Sequence, residues 1–86
     1  MTKFKQQQAA AVAAFEAKIE EINKKGNVNF QDIQALNTAA YDHNVAVFNR
    51  NKYGTLTERE TIINNARQAA MEIEIERIMK EKYQTT

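Results

Sequence analysis

The residues best suited to bind a ligand crowd into one short segment, between Phe48 and Thr57. Cations, hydroxyls, amides and a tyrosine stand there, just before a predicted helix start. The free backbone N–H groups of a helix N-terminus, with an arginine and an aromatic face beside them, suit a phosphate that carries a base. We therefore predict an anionic-nucleotide site at this turn. Its candidate residues are Tyr41, Phe48, Arg50, Lys52, Tyr53, Thr55 and Thr57.

Two observations keep a simpler interpretation of this turn open. Glu58 and Glu60 already place negative charge in the first turn of the following helix, and polar side chains occur in any loop. Tyr41 and Phe48 also fit the apolar arc of their helix, where they would be ordinary core aromatics. Tyr53, at a helix end, is freer to stack on a base.

No pattern in the chain predicts catalysis or a metal site. The sequence has one histidine, His43, and neither cysteine nor serine. Asp42 beside that histidine points about 100° away on a helix, so we expect an ordinary surface or interface histidine. Glutamates alternate at 72, 74 and 76 and so spread around a helix, unlike the Glu-x-x-His pairs of di-metal bundles. We expect no enzyme activity, no metal and no cofactor.

Composition favours a single soluble domain, residues 1–86. The formal net charge is +1, with lysines and glutamates interspersed, whereas a duplex-DNA binder usually shows a basic excess or stripe. No stretch approaches the roughly 20 apolar residues that span a bilayer, and the first residues lack a signal-peptide pattern. We expect a cytoplasmic protein that binds neither duplex DNA nor membranes. At 86 residues, oligomerisation is an expected source of extra stability.

Two glycines, Gly26 and Gly54, and the lack of proline divide the chain into three predicted helices, at about 2–25, 30–52 and 58–82. The second and third starts carry capping-box patterns, Asn29 with Asp32 and Thr57 with Glu60. Short connections favour antiparallel neighbours. The predicted fold is therefore all-α: three amphipathic helices in a small bundle, or a helical hairpin that oligomerises.

Apolar spacing indicates which helix faces are buried. The second helix has one apolar group that includes Ile33 and Leu36, and another, about a quarter-turn away, that includes Tyr41 and Phe48. This broad arc predicts a central helix. The third helix has two stripes on different sides: Ile62, Ile63, Ala66, Ala69, Ala70 and Ile73 in the first, and Met71, Ile75 and Ile78 in the second. We expect the second stripe to be a self-association surface; the alternative is that the first helix covers it.

The segment Tyr53–Asn65 resembles small phage-encoded helical proteins that sequester the cyclic oligonucleotide signals of bacterial anti-phage defence, the anti-CBASS sponges. The shared pattern is a tyrosine–glycine turn, Leu-Thr, an acidic pair and an apolar run ending in asparagine, over about a seventh of the chain. The resemblance implies a helical oligomer, commonly a hexamer, that binds cyclic di- or trinucleotides between subunits without hydrolysing them. It also implies that Thr57 supplies a hydroxyl and that Tyr41 or Phe48 stacks on a base.

Thr55 departs from that pattern, because a basic residue able to meet a phosphate is expected there. Arg50 or Lys52 would have to supply the charge instead. The first hypothesis is thus a non-catalytic homo-oligomer that sequesters a cyclic di- or trinucleotide, in phage counter-defence in the host cytoplasm. The alternative is a protein–protein interaction module that docks on or inhibits a partner protein through an exposed apolar helix face.

Overall fold

The computed structural model describes residues 2–83, the side chain of Thr2 excepted. Over that range the chain forms three helices, α1 (Thr2–Lys25), α2 (Phe30–Lys52) and α3 (Glu58–Glu81). The predicted all-α class is confirmed, and the predicted helix bounds agree except that the last helix ends one residue earlier. None of these helices is both long enough and apolar enough to cross a membrane.

Local side-chain chemistry sets where α2 and α3 begin. The Asn29 side chain accepts from the backbone N–H of Asp32 at 2.9 Å, and the Asp32 carboxylate accepts from the Asn29 N–H at 3.0 Å. Thr57 and Glu60 make the same reciprocal pair before α3, at 3.0 and 3.2 Å. Each box satisfies two N–H groups that the helix itself cannot pair. Both predicted capping boxes are confirmed.

The turn between α2 and α3 depends on a left-handed glycine. Gly54 has φ of +71°, a conformation that a side chain with a Cβ adopts only at a steric cost. The Gly54 N–H donates to the Asn51 carbonyl at 3.1 Å, and the Thr55 N–H donates to the Arg50 carbonyl at 2.8 Å. These hydrogen bonds pair the last carbonyls of α2, and the chain after the turn runs back along α2.

The three helices contribute to one apolar cluster, and α1 and α3 run in the same direction. Gln8 of α1 donates to Asn64 of α3 at 2.7 Å, and Val28, just past α1, forms an isolated parallel bridge with Tyr83, just past α3. Because α2 returns between them, its inner face meets both neighbours. The buried members of the cluster are Phe15, Ile22, Val28, Ile33, Leu36, Ala39, Ala40, Met71, Ile75 and Ile78.

The assignment of the two α3 stripes was wrong. Met71, Ile75 and Ile78, expected to form an oligomer interface, are buried in the chain's own core. They share the core cluster with Phe15 and Ile22 of α1, so α1 covers this stripe, which was the alternative. The other stripe, expected to face the core, is exposed instead at Ile62, Ile63, Ala66, Ala69, Ala70 and Ile73.

The inward assignment of the second α2 group was also wrong. Tyr41 and Phe48 are exposed, on the face opposite the core residues Leu36 and His43. The buried arc of α2 is narrower than predicted, because small alanines at 39, 40 and 46 complete it. The large aromatic side chains are therefore left on the outside of the helix.

Candidate functional site

Arg50 is the best-connected residue of the predicted ligand turn. Its guanidinium donates to the Gln8 side-chain oxygen at 2.7 Å, to the Thr55 carbonyl at 3.2 Å and to the Glu60 carboxylate at 3.0 Å. The residue is buried, and its Nε has no partner among the described residues. Arg50 thus joins α1, the turn and α3, and a phosphate would have to displace Glu60 to bind it.

The electrostatics around Arg50 favour its ion pair with Glu60. The backbone N–H of Thr57 and the Arg50 guanidinium both donate to Glu60, and they lower the pKa of that carboxyl. A carboxylate held in its charged form neutralises the only cation buried in the turn. The Arg50 guanidinium, paired in this way, offers no free positive charge to an anion.

The other predicted site residues are only partly brought together. Thr55 donates its hydroxyl to the Arg50 carbonyl at 3.1 Å, and the Thr57 hydroxyl caps α3. Tyr53 stacks on Phe4 of α1, with ring centroids 5.6 Å apart, and the Lys52 ammonium lies 5.6 Å from the Tyr53 ring centroid. These groups form the turn itself.

Tyr41 and Phe48 lie away from that turn's hydroxyls, on the outer face of α2. Lys52 follows Phe48 by four residues and therefore lies on the same side of the helix. All three side chains are exposed. The predicted site is thus divided into a structural corner around Arg50 and an open aromatic face that ends in one lysine.

A groove of about 470 Å³ lies between α1 and α3. It is open because no Cα of α1 comes within 8 Å of a Cα of α3 along the described helices. Such a volume is in the range of small-molecule sites. Its charged lining is mixed, with Lys5, Arg50 and Arg67 against Glu16 and Glu60. The mixture gives no strong preference for an anion.

A buried amide pair closes the floor of this groove. Gln8 accepts from Arg50 and donates to Asn64, whose oxygen also accepts from Arg67 at 3.3 Å. Gln8 and Asn64 are both buried. No local sequence pattern indicates this pair, because Gln8 stands in a glutamine triplet and its partner lies 56 residues away.

His43 is also buried, which corrects the expected surface or interface position. Its Nδ1 lies 2.7 Å from the side-chain oxygen of Gln68, whose amide nitrogen donates to the Ala40 carbonyl and to Glu72. The glutamine oxygen must therefore accept, and the imidazole donates through Nδ1. Because the ring has no exposed surface, it packs the α2–α3 contact.

The outer face of α2 is the most distinctive exposed surface. Phe30, Tyr41 and Phe48 are 59%, 66% and 65% exposed and lie on one side of the helix, 11 and 7 residues apart. Between them stand the exposed amides Gln34, Asn37 and Asn44. No charged side chain interrupts this line from Phe30 to Phe48, so we call these six residues the α2 outer face.

α3 carries a second exposed apolar surface. Ile62 and Ile73 are both about two-thirds exposed, and Ala66 and Ala69 lie between them on the same side. We call these four residues the α3 outer face. Its helical spacing is visible in the sequence, but that spacing is the same as the spacing of a buried stripe.

Within residues 2–83 no group of three or more histidine and carboxylate side chains is placed to hold a metal ion. No protein-family model, no curated protein and no solved structure matches the chain.

Proposed function

We propose that this protein is a non-catalytic interaction module that associates with other polypeptides through the outer faces of α2 and α3. One observation carries the proposal: both helices bear large apolar side chains on the side opposite the core. Covering apolar surface of this kind with another protein lowers the free energy of the system.

The composition of the α2 outer face supports the same role. The centres of protein–protein interfaces are enriched in tyrosine and phenylalanine and depleted in charge. A solvated helix face normally carries lysine and glutamate, as α1 does with Glu20 and Lys24. On α2, three aromatics and three amides stand in those places. They fit association better than solvation.

The polypeptides retained by two immobilised bait proteins test this role. One bait is the wild-type chain, and the other is a Tyr41→Lys/Ile73→Lys variant, which places one charge in each outer face without changing a core residue. We expect bound polypeptides, including copies of the chain itself detected by native mass spectrometry, to be retained by wild type. The variant should lose them while keeping its helicity. Equal retention by both baits would contradict the proposal.

Sequestration of an anionic cyclic di- or trinucleotide is the second candidate, and one observation favours it. Tyr41, Phe48 and Lys52 lie exposed in a row on α2, so two rings are available to stack on bases, with a cation at the end of the row. In this version Lys52, and not the engaged Arg50, meets the phosphate. The protein would then act as an oligomeric sponge in phage counter-defence in the host cytoplasm.

Thermal melting with added nucleotides tests the second candidate. A ligand that binds only the folded state stabilises it by about 2.7 kcal/mol at 100 times its Kd. We expect cyclic di- or trinucleotides to raise the Tm of wild type, and Tyr41→Ala to abolish the rise. Tyr53→Ala, which changes the ring stacked on Phe4, is the matched control and should retain the rise. Unchanged melting far above micromolar nucleotide would exclude this function.

A further inference from the structure

We propose that α2 pairs with the α2 of a second copy of this chain, the two helices running antiparallel along their outer faces. The inference rests on the interaction role proposed above and names the partner for one of the two apolar faces. It is carried by the spacing, the residue types and the exposure of the six residues of the α2 outer face.

Spacing identifies a helix as the partner. The six residues follow one another by steps of four, three, four, three and four: Phe30, Gln34, Asn37, Tyr41, Asn44 and Phe48. These alternating steps of four and three keep the six side chains on one side of α2, as at the seam positions of paired helices, where each side chain fits between those of a facing helix. Their mean of 3.6 residues is the period of a straight α-helix. Over its 18-residue span the seam is about 27 Å long.

Residue types identify a second copy. About a two-fold axis at the middle of the seam, Phe30 comes to lie opposite Phe48 of the other copy. Gln34 likewise meets Asn44. The central position Asn37 meets Tyr41, whose hydroxyl can hydrogen-bond to an amide. Phenylalanine thus meets phenylalanine in the two end layers. In the four inner layers, each side chain that can hydrogen-bond meets another that can do so.

Helix dipoles set the direction of the pair. Lys52 lies just past the seam on the same side of α2. A parallel pair would bring it beside its own copy, and the antiparallel pair places it opposite Gly26, which follows Lys24 and Lys25, so charge does not decide between the two directions. Antiparallel helices align the positive end of each macrodipole with the negative end of the other. The dipoles therefore favour the antiparallel arrangement.

The aromatic rings supply part of the surface that a specific pair buries. An aromatic side chain buries about 150–250 Å² when enclosed. With Phe30, Tyr41 and Phe48 about three-fifths exposed, the rings of two copies would remove roughly 700 Å² from water. The amides between them add to this, toward the roughly 1,200–2,000 Å² typical of specific complexes.

Engineered cysteines test the pairing, because the chain has none of its own. Gln34→Cys and Asn44→Cys proteins are oxidised separately and as an equimolar mixture, and mass spectrometry separates mixed from unmixed disulfide dimers. We expect the mixed dimer in the mixture and little dimer in either protein alone. In the antiparallel pair, two copies of one residue are about 15 Å apart along the seam, beyond the roughly 7 Å Cα limit of a disulfide.

Two controls accompany this measurement. Asn23→Cys mixed with Glu76→Cys joins exposed positions on α1 and α3 and gives the yield from random collision. Adding Tyr41→Lys to both seam variants should lower the mixed dimer at least tenfold, with helicity by circular dichroism unchanged. Dimers in the unmixed samples, or a mixed yield equal to the collision control, would overturn the antiparallel pair.

The outcome separates this inference from the proposed function. If no mixed dimer forms but Tyr41→Lys still strips partners from the bait, the α2 outer face binds a different protein. The self-pairing then fails and the interaction role stands. If Tyr41→Lys and Ile73→Lys change neither disulfide yield nor partner retention, both fail.

Discussion

Ile73 and Ile78 lie five residues apart on α3, yet Ile73 is 67% exposed and Ile78 is 2% exposed. A five-residue step turns a helix by about 140°, so the two side chains point to nearly opposite sides. Ile78 shares the core cluster with Ile22 and Leu36. The apolar side chains of α3 therefore serve two surfaces, one inside the fold and one outside.

Truncation of each isoleucine tests this inside–outside assignment. Ile78→Ala should lower the free energy of unfolding by about 2–4 kcal/mol, because it removes buried apolar atoms and leaves a cavity. The matched Ile73→Ala should change it by less than about 0.5 kcal/mol. Urea denaturation of the two variants measures both values. A larger loss for Ile73→Ala would reverse the assignment.

The helix limits could be predicted because their causes are local. Asn29 with Asp32 and Thr57 with Glu60 each form a capping box within four residues. Gly54 adopts the left-handed conformation because glycine has no Cβ. Which stripe of α3 faces inward could not be predicted. Both stripes have helical spacing, and the choice depends on Phe15 and Ile22 of α1, which are distant in sequence.

The candidate site was predictable in residue type but not in role. Arg50 and Thr55 do lie together in the turn, as expected from their proximity in sequence. Gln8, which occupies the guanidinium, stands 42 residues earlier, and no local pattern reveals such a partner. Aromatic rings usually lie in a core, so the exposed positions of Tyr41 and Phe48 could not be predicted; smaller alanines occupy the buried face of α2 instead.

Arg50 should matter more for stability than any exposed cation nearby. Arg50→Ala leaves the buried Gln8 oxygen and the Thr55 carbonyl without their donor, and we expect a loss of about 2–3 kcal/mol in the free energy of unfolding. Arg59→Ala, at the exposed second residue of α3, is the control and should change stability by less than about 0.5 kcal/mol. Equal values in chemical denaturation would contradict a structural role for Arg50.

Stability should fall in acid partly through Asp32. The Lys25 ammonium, 2.6 Å away, is the largest cause that lowers the pKa of this carboxyl, with the Asn29 N–H and Lys18 adding to it. The unfolded state therefore binds the proton at higher pH than the folded state. The stabilisation is complete above the unfolded pKa of about 3.9 and is lost as pH falls through the lower folded value.

Denaturant unfolding between pH 2 and 7 measures this dependence. Asp32→Asn should be less stable than wild type near neutrality, and the two profiles should converge toward pH 2. Asp42→Asn, which changes an exposed carboxyl on the same helix, should keep the wild-type acid dependence. A constant stability difference between Asp32→Asn and wild type across the whole range would show that Asp32 acts through its shape and not its charge.

The amide pair beneath the groove should couple α1 to α3 energetically. Asn64→Ala leaves the buried nitrogen of Gln8 without an acceptor. Gln8→Ala removes one of the two donors to the Asn64 oxygen and the acceptor of the Arg50 guanidinium, so each change should cost about 1–2 kcal/mol. Because the double variant removes both groups, its loss should be smaller than the sum, with a coupling of about 1 kcal/mol in a double-mutant cycle. A cycle with the exposed Gln7→Ala in place of Gln8→Ala should be additive within about 0.5 kcal/mol. A coupling near zero would mean that the Gln8–Asn64 hydrogen bond does not help to hold α1 against α3.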